Sequence, residues 1–350
     1  MSEYDRNVTQ SKDLPAVSYI MPVLNEEAYL ERAVRQILQQ RYPADVEIVI
    51  ALGPSTDSTN DIAQALASED SRIKLINNPE RDIPIALNLA ISHSSHPVIV
   101  RVDAHSDLSE NYTETAVRSL MRSGAVNVGG IMRAAGRGKI QEAIARGYNS
   151  PYGLGGGTYH GSGTPRAAES AYLGVFWRDA VCEVGGYDPT IRRGEDWELN
   201  LRLRQAGHTV WFDPSLEVTY WPRHSWSALA KQFFATGVWR AVITKKYPRE
   251  TPWRFFVPGT LVLMLALTVL LVLAQATRLF GRWWSFFYVI PGAYLLGVLF
   301  AVSQMPQQRR LGTWARSYWA LTVMHLTWGA GFITGTVRGG GDTVDRSRAR

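Results

Sequence analysis

The chain has 350 residues, a formal net charge of +6 and one cysteine, Cys182. That length holds one large soluble domain plus something smaller, and a lone cysteine excludes an internal disulfide, as suits a reducing compartment. Met1 to Leu14 is polar, so no secretory signal is expected. The hydrophobic share of 46% is ordinary but uneven: residues 1–250 are mixed and charged, and residues 255–337 hold three long apolar runs. The positive balance suits an anionic membrane surface or anionic substrates such as pyrophosphates. Because basic residues flank apolar runs, charge alone gives no reason to expect nucleic acid.

Residues 1–16 read as a flexible tail. Ala16 to Val23 predicts a buried strand ending in the polar turn Asn25-Glu26-Glu27. A helix follows over about Ala28 to Gln40, with Leu30, Val34, Ile37 and Leu38 on one face. Val46 to Leu52 predicts a second strand, Gly53-Pro54-Ser55-Thr56-Asp57 a turn and helix cap, and a helix runs on through Ala67. Ile73 to Ile76 is short and apolar, Ile85 to Ser94 reads as a helix, and Pro97 to Val102 as the next strand. This alternation predicts an α/β domain whose mostly parallel sheet is covered on both faces. Ligands bind such sheets at the carboxyl ends of strands, where Asn25, Gly53 to Asp57 and Asp103 fall. From Gly124 the pattern loosens. Gly153 to Gly163 lacks the Gly-Lys-Ser/Thr closure of a phosphate loop and reads as a floppy loop or as a lid. A turn at Tyr187 leads to a helix of about Trp197 to Gln205.

Ser225 to Tyr247 mixes Trp226, Leu229, Phe233, Phe234 and Trp239 with Lys231, Arg240, Lys245 and Lys246, the composition of an amphipathic helix on a membrane face. Phe255 to Ala276 and Trp283 to Val302 carry no charge and are long enough to cross ~30 Å of hydrocarbon. Ser317 to Val337 also lacks a fixed charge but holds His325, which gives about three spans. Trp283, Trp284, Trp314 and Trp319 suit interfacial belts, whereas Arg278, Arg282, Arg309, Arg310 and Arg316, with the tail's Arg338, Arg346, Arg348 and Arg350 against Asp342 and Asp345, leave orientation undecided. The expected organisation is a tail (1–16), an α/β domain (17–225), an amphipathic interface segment (226–254), a transmembrane region (255–337) and a polar tail (338–350).

Two separated signatures carry the chemistry. Arg101-Val102-Asp103-Ala104-His105 sets a carboxylate and an imidazole two residues apart past an apolar strand, so that one turn can direct both at one ion. Oxygen plus imidazole suits Mn²⁺ better than an all-oxygen Mg²⁺ site. Gly194-Glu195-Asp196-Trp197 puts two acids at a helix start. There they serve as caps that favour the helix dipole or, with Asp103 present, supply a general base and its neighbour. His224, after Trp221-Pro222-Arg223, reads as an interfacial histidine or a late metal ligand. Trp177 and Trp197 read as sugar-stacking rings or as core. Arg192, Arg193, Arg223 and Arg240 are available to neutralise phosphates, although Arg192 reads better as solvated surface.

Taken as an ordered set, several motifs resemble family 2 glycosyltransferases of the GT-A fold, of the membrane-anchored succinoglycan-biosynthesis glucosyltransferase type. They are Pro22-Val23-Leu24-Asn25-Glu26-Glu27, Ser55-Thr56-Asp57, Ile83-Pro84-Ile85-Ala86-Leu87-Asn88, Arg101 to His105, Gly174-Val175-Phe176, Gly185-Gly186-Tyr187-Asp188, Glu195 to Leu199 and Leu201 to Gly207. The resemblance covers nearly all of residues 17–337. It implies inverting transfer from a nucleotide-diphosphate sugar to a hydroxyl of a lipid-linked or cell-envelope polysaccharide acceptor. It implies donor contacts at Pro22, Asn25, Glu27, Ser55, Asp57, Asn88 and Asp103. A Mn²⁺ or Mg²⁺ would sit at Asp103, with His105 and His224 as further ligands. Asp196 would be the base, with Glu195 beside it, and Trp177, Trp197, Arg223, Gln232, Trp239 and Arg240 would meet the acceptor or diphosphate. Gln232, Trp239 and Arg240 fall where related synthases keep a Gln-x-x-Arg-Trp box, but the different spacing argues against processive polymerisation. Ala51-Leu52-Gly53-Pro54 stands where the family commonly has an acid, so nucleoside recognition is changed. The expected location is the inner membrane, multi-pass, with a cytoplasmic catalytic domain and partner proteins of an envelope glycan pathway. Two other readings stay open: a polyprenyl-phosphate sugar synthase, whose phosphate acceptor needs no base, and a catalytically silent membrane protein that binds glycan or scaffolds a synthase complex.

Overall fold

The computed structural model describes residues 14–154, 163–276, 282–305 and 311–343. The tail up to residue 13, the centre of the glycine-rich stretch, the side chains of Trp283 and Trp284, and Arg278, Arg309, Arg310, Asp345, Arg346, Arg348 and Arg350 lie outside that description. The chain divides into two units, Met1–Arg133 with Thr158–Tyr220 and Arg348–Arg350, and Ala134–Gly157 with Trp221–Ser347.

The first unit is built on β1 (Val17–Val23), β2 (Val46–Leu52), β3 (Ile73–Asn77), β4 (Val98–Arg101), β5 (Ser106–Leu108), β6 (Asn127–Ala134), β7 (Arg166–Ala167), β8 (Val175–Trp177) and β9 (Val210–Tyr220). Their order is β3-β2-β1-β4-β8-β6-β9-β5, with β7 paired to β9. β1 runs parallel to β2 and β4, and β2 to β3. β8 is antiparallel to β4 and β6, and β5 and β7 are antiparallel to β9. The parallel half is the one whose strands alternate with helices in the sequence. The antiparallel half comes mainly from the region past Gly124, where that alternation fails.

Helices α1 (Leu30–Leu38), α2 (Thr59–Glu69), α3 (Ile83–Ser92) and α4 (Tyr112–Ser123) precede α5 (Lys139–Tyr148), and α6 (Arg178–Glu183) and α7 (Glu195–Gln205) follow it. Strand side chains point alternately to opposite faces, and the core follows that period. Tyr19, Met21, Ile48, Ile50, Val98 and Val100 join Leu30, Val34, Leu66 and Leu120 of α1, α2 and α4. Ile20, Val49 and Ile99 join Leu87, Val181, Leu199 and Leu203 of α3, α6 and α7. The alternation continues to Arg101, two residues beyond Ile99, and so turns it to the face that α7 covers.

One buried charge ties the parallel strands together. Glu47 of β2 is 5% exposed and accepts hydrogen bonds from Ser18 Oγ, the Ser95 backbone N–H and Lys74 Nζ, each at 2.5 Å. Burial raises its carboxyl pKa, but the donors from Lys74, Ser18 and Ser95 outweigh that and hold it at about 2. A carboxyl depressed in the fold contributes stability above its unfolded value, near 4.3, and loses it as pH falls toward 2. Glu47→Gln should therefore cost about 2 kcal/mol at neutral pH and flatten the loss of stability between about pH 4.3 and 2. Urea unfolding of both proteins across that range is the check.

The second unit contains α5, α8 (Trp226–Lys246), α9 (Val257–Ala276), α10 (Val289–Ser303) and α11 (Leu311–Arg338). Counting the short turns before them, Trp253–Ala276 and Ser285–Ser303 are long and apolar enough to cross a membrane, with mean hydropathies of 2.6 and 1.9. Only 17% of each span is buried, unlike the core helix of a soluble protein. The third expected run lies in α11. That helix has 28 residues but is not among the helices apolar enough to span, because Ser, Thr and Gly occupy positions it buries against protein. α8 also departs from the simple two-faced expectation. Leu229, Gln232, Phe233, Ala235, Val238, Trp239, Ala241 and Ile243 are all buried, spread over more than one side, while Lys231, Lys245 and Lys246 stay exposed.

The cause is the closeness of α11. A Cβ at Gly331 would lie 2.1 Å from the Phe234 carbonyl oxygen, one at Gly335 2.3 Å from that of Val238, and one at Gly237 2.1 Å from that of Trp328. Small residues four apart let helix backbones meet in this way. Gly335→Val should push the two helices apart, and purified protein in detergent should melt several degrees lower. A surface control such as Lys231→Ala should leave that temperature unchanged.

Candidate active site

β1 and β4 are parallel neighbours, β4 bordering the antiparallel half, and the residues past their carboxyl ends come together. Arg101, the last residue of β4, is 3% exposed. Its Nη2 lies 3.3 Å from Asp103 Oδ1 and 3.1 Å from Glu195 Oε1, and its Nη1 donates to Asp196 Oδ1. The Tyr187 ring closes one side, with its centroid 5.7 Å from the guanidinium carbon. A buried charge needs this kind of pairing. Here one cation serves three carboxylates from two segments some ninety residues apart in sequence, which leaves a formal excess of two negative charges.

The same arrangement sets the two acids at the head of α7. The helix starts at Gly194, with φ at 82°, and no side chain caps it. Glu195 and Asp196 are turned to Arg101 instead. Burial raises the Asp196 carboxyl well above the ordinary aspartate value; Arg101 opposes this, and the like charges of Glu195 and Asp103 add to it. Arg101 itself is held well above its usual value: burial disfavours its charge, but Asp196, Asp103 and Glu195 more than compensate.

His105 sits beside this cluster. Its Nδ1 is 3.0 Å from Glu26 Oε1 and its Nε2 is 3.8 Å from Asp103 Oδ2. A carboxylate accepting at Nδ1 fixes the tautomer that turns the Nε2 lone pair toward Asp103. Two neighbouring ligands of one octahedral ion lie about 3 Å apart, so Asp103 and His105 fit a divalent cation after a small closure. The second oxygen of Glu26 is buried without a hydrogen-bond partner. Among the described residues no group of three or more His, Cys, Asp or Glu side chains forms a metal cage. The chain would therefore supply two ligands, leaving the others to phosphate and water. His224 is exposed and belongs to the second unit.

Several of the expected donor-contact residues also fasten the fold. Asn25, with φ at 56°, suits the left-handed turn that ends β1. Its Oδ1 accepts from the Thr56 N–H at 2.7 Å, and Ser55 Oγ accepts from its own N–H at 3.0 Å. Glu27 Oε2 accepts from the Ser58 N–H at 3.1 Å. Asp57 Oδ1 accepts from the Thr59 N–H and hydroxyl at 3.1 and 2.5 Å. Together these bonds stitch the loop after β1 to the loop after β2. Pro22, within β1, pairs with Ala51. Asn88 spends both ends of its amide on Tyr187, donating to its carbonyl at 2.7 Å and accepting from its N–H at 2.8 Å. It acts as the latch that sets the ring beside Arg101.

The aromatic expectations need correction. Trp177 pairs with Val98, at the start of β4 and about 10 Å from its carboxyl end, and packs on both cores. Trp197 is 8% exposed. Trp197 is a core residue whose buried ring offers no face to a sugar, and Trp177 is a half-buried ring at the end of β4 away from Asp103. Arg192 is not simply solvated, because its Nε lies 3.0 Å from Asp82 Oδ2. Arg223, Gln232 and Trp239 are buried within the second unit. There Trp239 Nε1 donates to the Thr343 carbonyl at 2.6 Å, and Arg240 lies over the Phe255 ring at 4.5 Å. The sequence reading missed the roles of Arg101, Glu26 and Tyr187. A charge ending the apolar run Val98-Ile99-Val100 was the available signal for Arg101. Nothing in the turn told Glu26 from Glu27.

Comparison with known proteins gives the family of the chain. Residues 18–167 match the model of glycosyl transferase family 2. The chain is 31% identical over 316 residues to the succinoglycan biosynthesis protein ExoA of Rhizobium meliloti (strain 1021), covering 89% of this chain and 92% of that protein. It is 24% identical over 248 residues, 68% of this chain and 77% of the relative, to a dolichyl N-acetyl-alpha-D-glucosaminyl phosphate 3-beta-D-2,3-diacetamido-2,3-dideoxy-beta-D-glucuronosyltransferase of Methanococcus voltae. In structure it is similar to the mannosyltransferase PcManGT of Pyrobaculum calidifontis, solved with GDP-Man and Mn²⁺, at a TM-score of 0.60 and 17% identity over 95% of this chain and 92% of that one. With a relative matched along almost its whole length and a family model lying over β4 and the turn that carries Asp103, the chain belongs to glycosyl transferase family 2 and is a glycosyltransferase of the GT-A fold.

Proposed function

We propose that this glycosyltransferase works at a membrane and transfers one sugar, with inversion, from a nucleotide-diphosphate sugar to a hydroxyl of a lipid-linked or cell-envelope glycan. The observation that carries this reading is the joining of Asp103, after β4, to Glu195 and Asp196, at the start of α7, through one buried guanidinium. Inverting transfer needs a base on the acceptor side and charge neutralisation on the leaving-group side. The two acidic segments supply one group for each. Asp196 accepts the proton of the acceptor hydroxyl as its oxygen bonds to the anomeric carbon, while the bond from that carbon to the nucleoside diphosphate breaks. A carboxyl held above the ordinary aspartate range by burial is closer to working pH, where a base is most effective. Glu195, on the same guanidinium, orients its neighbour.

Asp103 and His105 would hold a divalent cation, Mn²⁺ or Mg²⁺, which when bound neutralises the charge of the departing diphosphate. That PcManGT was solved with GDP-Man and Mn²⁺ supports a nucleotide sugar and such a cation here. The two exposed apolar helices support an anchor in the inner membrane, with the first unit on the cytoplasmic side where nucleotide sugars are made. The relative named for succinoglycan biosynthesis supports an extracellular or envelope glycan as the end product. Donor sugar, nucleoside and linkage are for a donor screen on membranes with extracted lipid acceptors.

Asp196→Asn should lower turnover about 10²-fold or more, with donor affinity at saturating Mn²⁺ little changed. Because burial and neighbouring charge raise this carboxyl above its unfolded value, ionising it costs stability as pH rises through that interval. The variant's melting temperature at neutral pH should therefore be equal or higher. Turnover near that of the wild type would remove Asp196 as base and favour an acceptor that is already ionised, such as a lipid phosphate. Asp103→Asn should abolish both transfer and Mn²⁺-dependent hydrolysis of the donor, and normal Mn²⁺ dependence in that variant would rule out the cation site.

A further inference from the structure

We infer that Arg101 is a positioning residue that couples cation binding at Asp103 to the setting of the acceptor-side acids Glu195 and Asp196. The inference rests on the proposed function and adds a regulation of the same site. Three observations carry it. Arg101 is 3% exposed, so water cannot substitute for any partner it loses. Asp103 and Glu195 share one of its nitrogens, Nη2, at 3.3 and 3.1 Å, while Asp196 takes Nη1. The guanidinium is also braced by its surroundings. Its backbone N–H donates to the Gly174 carbonyl at 3.1 Å, beside Leu173 and Gly174, both at positive φ, and Tyr187, latched by Asn88, flanks its plane.

A braced cation shared by competing anions links their states. Whatever draws Asp103 away from Nη2 leaves that nitrogen wholly to Glu195, and the guanidinium's charge to the two acids of α7. A cation taken up by Asp103 has this effect, and its own charge offsets part of the cluster's excess of two negative charges. The converse follows by reciprocity. Removing an acid from α7 concentrates Arg101 on Asp103, so cation binding should weaken even though that acid does not touch the ion. A lysine cannot reproduce the effect. Its ammonium is a point charge on a flexible stem, whereas the guanidinium is a rigid planar fork that meets several carboxylates at once. Cation uptake on the donor side would thus set the acceptor-side acids, and Asp196 would be in place only when the cation is held.

The test is a double-substitution cycle read by binding rather than turnover. Mn²⁺ affinity of the full-length protein in detergent, with saturating nucleoside diphosphate, would be measured by electron paramagnetic resonance for wild type, Asp196→Asn, Arg101→Lys and the double variant. Thermal unfolding of each serves as the folding control. Asp196→Asn is expected to weaken Mn²⁺ binding roughly fivefold or more in the wild-type background, and less than about twofold in Arg101→Lys. Equal weakening in both backgrounds would overturn the coupling, leaving only through-space attraction between Asp196 and the ion. Should Arg101→Lys fail to fold, hydrogen exchange on the wild type decides. Amides of residues 194–198 should gain protection on adding Mn²⁺ and nucleoside diphosphate, and should not in Asp103→Asn. Unchanged exchange in the wild type would overturn the proposal. Loss of all Mn²⁺ binding by the wild type would be a different failure, that of the cation reading itself.

Discussion

A guanidinium buried at the end of β4 organises the candidate site of this protein. Arg101 is buried where it lies, so its charge must be paired, and its partners come from both motifs to which we assign the chemistry: Asp103 just beyond β4, and Glu195 and Asp196 at the start of α7. Taking a charge out of water is costly unless pairing is close. The Asn88 latch on Tyr187, the turn at Leu173 and Gly174, and the uncapped start of α7 all serve that pairing. The same excess of carboxylate that makes the cluster electrostatically unsatisfied suits it to a divalent cation and to a base whose proton affinity is raised.

The sheet places these groups by a simple rule. Side chains alternate along each strand, so Ile99 and Arg101 face α7 while Val98 and Val100 face α1, α2 and α4. A shift of one residue in β4 would carry Arg101 to the other face. Glu47, fastened to Ser18, Ser95 and Lys74, pins the opposite ends of the parallel strands. The register is thus fixed far from the place where the chemistry needs it. In the second unit the governing constraint is steric rather than electrostatic. Glycines on α8 and α11 let two backbones approach to where no Cβ fits, while α9 and α10 leave their apolar side chains exposed. A helix that packs on protein can carry Ser, Thr and Gly, whereas one that faces lipid cannot expose many polar groups.

Much of this was written in the sequence. Period and punctuation gave the parallel strands and their helices, because alternation of apolar residues and turn residues at strand ends are local properties. The two charge-free runs identified the apolar helices for the same reason. Asp103 and Asp196 could be picked out because acids just past an apolar strand, or at the head of a helix, are visible without knowing what they face. What only the tertiary structure decided is which neighbours share a space. It turned Glu26 rather than Glu27 toward His105, made Asn25, Asp57 and Asn88 into fastenings, sent Trp177 to the wrong end of β4 for a ligand, and turned α8 from a surface helix into a packed one. It also brought Arg101 to Glu195 and Asp196, some ninety residues away. Contacts over such separations depend on how whole layers stack, and a sequence read along its length carries periodicity but not the distance between two segments that close on one another in space.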